Sequence, residues 1–187
     1  MFSDHQIQLL LDQKPITASH PWSSNNEEII HKHYKEVCEE MASKLGLSSK
    51  IEWDHYGSGY ASFIDAWFYR PTIQFAAPYK GSPGESYFGC AVLFSRLSPF
   101  YVLMEGAKAW GPKGGGGYLP CFEAVDEFDT TAVRMLAAEI EPFLRQKGLE
   151  RLHRHHLSAD LPPEIEVPTI LCDPPYHQFD ALFHWMD

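Results

Sequence analysis

A chain of 187 residues, 44% of them apolar and 21% charged, has material for one hydrophobic core and is neither a disordered nor a fibrous protein. Its formal charge of −10 repels a phosphate backbone, which argues against nucleic acid as a partner and leaves a basic protein attractive. The charge is uneven: residues 1–60 sum to −4, residues 61–122 to +2 and residues 123–187 to −8.

The lead-in, with Pro15, Pro21, Ser23 and Ser24, is expected to be irregular with at most one short element. A helix is predicted from about Asn26 to Leu45. Asn25 or Asn26 can cap it, Glu27 and Glu28 suit its positive end, and Gly46 can end it. Ile30, Tyr34, Val37, Met41 and Leu45 recur at helical spacing and form its inner face. From Ile51 the pattern turns to strands: 62 to 70, a short one over 73 to 77, then 87 to 94 and 100 to 105. The cluster Lys80, Gly81, Ser82, Pro83 and Gly84 reads as a turn, and Gly111 to Gly117 as a mobile loop.

A second helix is predicted from near Thr130 to Gly148, capped by Asp129 or Thr130, with Pro142 expected to kink it or end it early. Ile165, Val167, Thr169 and Leu171 alternate like an edge strand, and the apolar terminus 179 to 186 is expected to dock on the body. The expected fold is a single α+β domain, 1–187. It has a central, mostly antiparallel sheet with flanking helices packed as a single layer on one face.

The most apolar stretch, 87 to 104, is broken by Arg96, Ser98 and Pro99, so no membrane span is expected. Asp4 stands where a signal peptide carries bases, and the expected location is cytoplasmic. Cys38, Cys90, Cys121 and Cys172 lie far apart, and reduced, buried thiols are expected.

Chemistry-bearing motifs are weak. In the glycine run Lys113 precedes the glycines and no Ser or Thr follows, against the order that a phosphate loop requires. Gly57, Ser58 and Gly59 lack the spacing of a nucleophile elbow. His31 with His33, and His153 with His155 and His156, lack recognised ligand spacing; Cys172 and His177 could join the latter only through folding. No metal or cofactor is expected. Asp54 and Asp65 flank the turn at Gly57 to Tyr60. Asp65, an acid in an apolar strand, reads as a solvent-facing edge position; the alternative is a small hydrolase or metal-dependent enzyme that uses Asp65 or the cluster of His153, His155 and His156.

A protein-binding reading draws on different residues. Glu123, Asp126, Glu127 and Asp129 place four acids in seven positions beside Trp110 and Tyr118, aromatics suited to an interface. The acids also stabilise the start of the following helix with no partner at all. The C-terminal quarter runs from a helix through Leu161, Pro162 and Pro163 to a short strand and the closing stretch from Phe179 to Trp185. It resembles small immunity proteins of bacterial polymorphic-toxin systems. The resemblance implies a stoichiometric inhibitor that binds a toxin domain and performs no chemistry.

Overall fold

The computed structural model describes residues 2–78, 85–112 and 114–187; the expected turn at 80–84 and Lys113 lie outside them. The first helix, α1 (Asp4–Leu11), is closed by a capping box in which Ser3 and Gln6 satisfy each other's backbone N–H groups. Helix α2 (Glu27–Leu45) follows its predicted course: Asn26 accepts from the Ile29 N–H at 3.2 Å, Gly46 ends it at φ 64°, and Ile30, Tyr34, Val37 and Met41 are buried. Short β1 (Ser48–Glu52) leads to β2 (Tyr60–Ala61) and β3 (Phe63–Tyr69), then to the long β4 (Glu85–Ser95), β5 (Phe100–Gly111) and β6 (Gly114–Gly117). Helix α3 (Thr131–Gln146), β7 (Glu150–Arg151), α4 (Arg154–Leu157), α5 (Gln178–Leu182) and β8 (Trp185–Met186) complete the chain.

The architecture is α+β. The sheet runs β1-β3-β4-β5-β6 with every neighbour antiparallel, and β7 pairs parallel with the start of β5. The outer edge of β5 is covered in sequence by β6, by a bridge from Val125 to Met104, and by β7. A small separate ribbon joins β2 to β8 and docks the C-terminal segment, as expected.

Every residue of β3 is buried, so both of its faces are covered. Ile64, Ala66 and Phe68 share the face on which the helices pack, where Tyr34 of α2 meets Phe94 of β4 at 4.7 Å between ring centres. Phe63, Asp65, Trp67 and Tyr69 occupy the other face, against Tyr56, Tyr118 and Phe183. Fully burying each large apolar side chain contributes about 1.5–3 kcal/mol, and Trp67, Phe68, Phe94, Leu93 and Met41 are all fully buried.

Four expectations are corrected. Residues 73–75 form a 3-10 turn, and only Ala76 makes a strand-like bridge, to Tyr87. The glycine run is not an open loop: Gly114 to Gly117 pair with Lys108 to Gly111, because a ladder of backbone hydrogen bonds requires no side chains. Helix α3 does not end early at Pro142 but runs on to Gln146, with Ile140, Phe143 and Leu144 buried on either side of the missing N–H. Residues 165 to 171 form no strand. Pro162, Pro163 and Pro168 remove donors there, and the segment is tied instead by Leu161 N–H to Tyr176 O and Ile170 N–H to Trp185 O, both 2.8 Å.

The tight pairing of β6 yields a paired test. A Cβ on Gly115 would lie 2.3 Å from the Ala109 carbonyl oxygen, whereas one on Gly116 would meet nothing within 4 Å. Gly115→Ala is expected to lower unfolding free energy by about 1–3 kcal/mol and Gly116→Ala by less than about 0.5 kcal/mol, measured by urea denaturation. Equal effects would show that β6 does not pack against β5 in solution.

Candidate functional site

Two polar centres lie within the fold, and one short turn feeds both. The first surrounds Asp65 in the middle of β3. Cross-strand partners Gly89 and Gly106 have no side chains, so Trp67 lies over the first and the Tyr118 ring over the second. The Trp67 indole N–H donates to the Gly106 carbonyl at 2.9 Å. Placed this way, the Tyr118 hydroxyl donates to one Asp65 oxygen, while the Tyr56 hydroxyl (3.1 Å) and Lys108 Nζ (3.3 Å) reach the other. Burial, the Asp65 charge and these hydrogen bonds together hold both phenols well above their ordinary pKa, so they remain donors.

The expectation of a solvent-facing Asp65 is therefore corrected: the residue is 2% exposed. A buried carboxylate is tolerated only when paired and hydrogen-bonded, and here three donors meet it.

The second centre surrounds Arg96, in the β4–β5 connection and 3% exposed. Its Nε donates to Phe63 O (3.2 Å), one terminal nitrogen to Trp53 O (2.8 Å) and the other to Glu27 (3.1 Å) and to His31. His55 Nδ1 accepts the Ala61 N–H at 2.9 Å, so the ring proton sits on Nε2 and is donated to Glu27 at 2.7 Å. Burial raises the Glu27 pKa, but the His55 hydrogen bond and the Arg96 charge outweigh it and hold the carboxyl below its ordinary value. Burial, with the Arg96 charge, lowers His31, and burial lowers His184, which is 0% exposed. A cavity of about 250 Å³, lined by Gln13, Asn25, Glu27, Tyr60 and Arg96, opens beside this centre.

His55 and Tyr56, consecutive in the turn, carry φ of 53° and 57°. The left-handed region costs a side-chain-bearing residue roughly 1–2 kcal/mol, and the turn holds two such residues. What it gains is position: His55 faces Glu27 and Tyr56 faces Asp65.

The residues expected to bind a partner are dispersed by the fold. Asp126 is half-buried and taken by Arg151 (2.6 Å), His153 (3.2 Å) and the Arg154 N–H (2.9 Å), and Glu127 is paired with Arg154. Glu123 and Asp129 are exposed and form no ion pair among the described residues. Trp110 belongs to an aromatic cluster with Trp67, Tyr69 and Tyr87, with Lys50 stacked over it at 4.0 Å, and Tyr118 belongs to the Asp65 centre.

The His153 and His155 rings stack and His156 lies tilted against both, whereas His177 packs on Phe122 and Cys172 donates to Asp180. Among the described residues no group of three or more His, Cys, Asp or Glu is placed to hold a metal ion. Cys38 and Cys90 are buried as expected, while Cys121 and Cys172 are half-buried; burial and the Asp180 charge push the Cys172 thiol up to about 12. Arg96, Glu27, His55 and Lys108 were not expected as site residues. One signal was present in the sequence: a lone arginine in an apolar stretch must find buried partners.

If Asp65 is a structural hub, Asp65→Ala should cost about 3–5 kcal/mol of unfolding free energy, since it orphans a lysine and two phenols, and Tyr118→Phe about 1–3 kcal/mol. An Asp65→Ala cost below 1 kcal/mol in urea denaturation would overturn that reading. Histidines with folded pKa below the unfolded 6.5 add stability that is full above that value and lost as pH falls through it. The melting temperature should therefore decline between pH 6.5 and 5, before the carboxylates titrate, and His184→Gln should flatten the decline. An unchanged slope in the variant would rule out His184 as its source. No known family model, curated protein or solved structure matches this chain.

Proposed function

We propose that the chain is a protein-binding module of the immunity type, which neutralises a basic toxin domain by stoichiometric binding. One observation carries the reading: how the charge of the C-terminal third is distributed. Three of its five bases are taken by acids of the same chain, Arg151 by Asp126 and Glu141, Arg154 by Glu127, and Lys147 by Glu40, while Arg134 donates to the Phe128 carbonyl. Glu123, Asp129, Glu150, Glu164, Glu166 and Asp173 remain exposed, with no ion pair to a base among the described residues. Unpaired surface acids at this density create a negative field that steers a basic partner into encounter and suits inhibition by masking. The saturated Asp65 supports the same reading, because a carboxylate already holding three donors is poorly placed to take a proton from a substrate.

No helix among the described residues is long and apolar enough to cross a membrane. The proposed location, at the site of synthesis in the cytoplasm, would let the module meet such a toxin there.

The test asks first whether a reading frame beside this chain's gene encodes a basic domain, whose absence would count against the reading, and takes that domain as partner. Co-expression should relieve growth arrest by that domain, and the two should elute as a 1:1 complex. Glu123→Lys with Asp129→Lys should slow association about tenfold at low ionic strength, a difference that shrinks as salt rises. These positions are preferred to Asp126 because their reversal breaks no internal ion pair, and stability should change by less than about 1 kcal/mol. Relief by substoichiometric amounts of the chain would replace binding with catalysis. An unchanged association rate in the double variant would move the interface off this surface.

A further inference from the structure

The cavity of about 250 Å³ beside Arg96 is lined by more polar groups than the Arg96 centre uses. Ile30 and Leu97, both buried, give it an apolar floor, and Gln13, Asn25, Glu27 and Tyr60 stand around them. Arg96, His31 and His55 all converge on Oε1 of Glu27. Its Oε2 therefore has no partner among the described residues, and the side chain is 54% exposed. Gln13 engages only its Nε2, with the Met186 sulfur at 3.6 Å, and the exposed Asn25 amide forms no hydrogen bond among the described residues.

Tyr60 completes the set. Its ring is flanked by those of His55 and His184, at 5.5 and 5.9 Å between centres. Its hydroxyl has no partner among the described residues, yet it is not sealed from solvent, and it lies within the fields of Arg96 and Glu27, which line the cavity with it. Burial pushes the phenol up to about 12 against the Arg96 charge, so the hydroxyl stays protonated and can donate. Gln13 and Asn25 reach the cavity from two separate turns, with φ of 58° and 46°. Side chains rarely adopt that left-handed region, and such residues cluster where a ligand is clamped.

These groups select against charge. Every nitrogen of Arg96 already donates, to Phe63 O, Trp53 O, Glu27 and His31, while the free Oε2 repels an anion. A cation would lie beside the guanidinium and leave the Asn25 and Tyr60 donors unmet. With Glu27 offset by Arg96, the lining is neutral and presents donors and acceptors side by side. Hydroxyl groups both donate and accept, and a ring of vicinal hydroxyls with an apolar C–H face matches both the rim and the floor.

We propose that this cavity binds a neutral monosaccharide, its hydroxyls held by Glu27 Oε2, the carboxamides of Gln13 and Asn25, and the Tyr60 hydroxyl. The volume lies just below the roughly 300–1,000 Å³ of drug-sized sites, in keeping with a single ring. The proposal is independent of the toxin-binding reading, which rests on acids of the C-terminal third.

The experiment is saturation-transfer NMR on the full chain with D-glucose, D-galactose and D-mannose, and with glycerol as control. At least one hexose should bind saturably, with half-saturation in the millimolar range or below, and glycerol should not. The 2-amino sugar and the uronic acid corresponding to the best hexose should bind about tenfold or more weakly, since each adds a charge that the cavity does not match. Tyr60→Phe removes an unpartnered hydroxyl, and Asn25→Gly removes the amide while keeping the left-handed backbone. Both should melt like the parent and bind about tenfold more weakly, the effect of one hydrogen bond. If one of them melts early, the other decides. Absence of saturable binding by all three hexoses overturns the proposal, as do charged forms that bind like the neutral one. Parental affinity in a folded variant would place the sugar elsewhere and overturn it equally.

Discussion

Two glycines that face each other across β4 and β5 set the geometry of the whole sheet face opposite the helices. Trp67 lies against Gly89 and Tyr118 against Gly106, where a Cβ would come within 2.5 Å and 2.1 Å of the respective rings. With the rings down, the Tyr118 hydroxyl is low enough to reach Asp65, and the Trp67 indole finds the Gly106 carbonyl. Without that recess the carboxylate would be buried with fewer donors, a state costing several kcal/mol. The glycines thus act through what they permit their neighbours to do. A buried acid, two phenols and a lysine become affordable in an apolar core only as a set.

How much of this was legible in the residues follows from the range of the interactions. Helix α2 was readable from end to end because its cap, apolar stripe and terminal glycine all lie within the segment. The long strands were readable as apolar runs. Strand β6 was not, because four glycines carry no pattern and its pairing is dictated by the neighbouring β5. The early stop offered at Pro142 did not occur for a related reason: one lost hydrogen bond is outweighed by packing that only the folded chain supplies. Asp65 was noticed as an acid in an apolar strand, but its three donors come from residues 56, 108 and 118, and no spacing rule joins those. Arg96 likewise collects partners from residues 27, 31, 53 and 63.

Charge is organised by depth. Near the core, acids and bases are matched one against another, as at Asp65 with Lys108 and Arg96 with Glu27. At intermediate depth Arg151 bridges Asp126 and Glu141, tying the segment before α3 to the helix itself. This bridge explains why the cluster of acids beyond the glycine strand does not behave as a uniform patch. Half of it fastens the chain to itself, and only the outer members project charge into solvent.

The turn at His55 and Tyr56 links centres that would otherwise be separate. Its two left-handed residues are strained, and each is held by a different anchor: His55 by Glu27 and the Ala61 amide, Tyr56 by Asp65. Tyr56 is held further by Glu52, which accepts its N–H at 3.1 Å, and by the Trp185 ring at 4.5 Å. One turn thus ties the Arg96 centre to the Asp65 centre, and the helix N-terminus to the middle of the sheet. The Ala61 amide, in a two-residue ribbon that would be expected to fray by itself, is held by His55 at 2.9 Å, and the adjoining Ser62 amide by the His184 carbonyl at 2.9 Å, so exchange protection is expected at both.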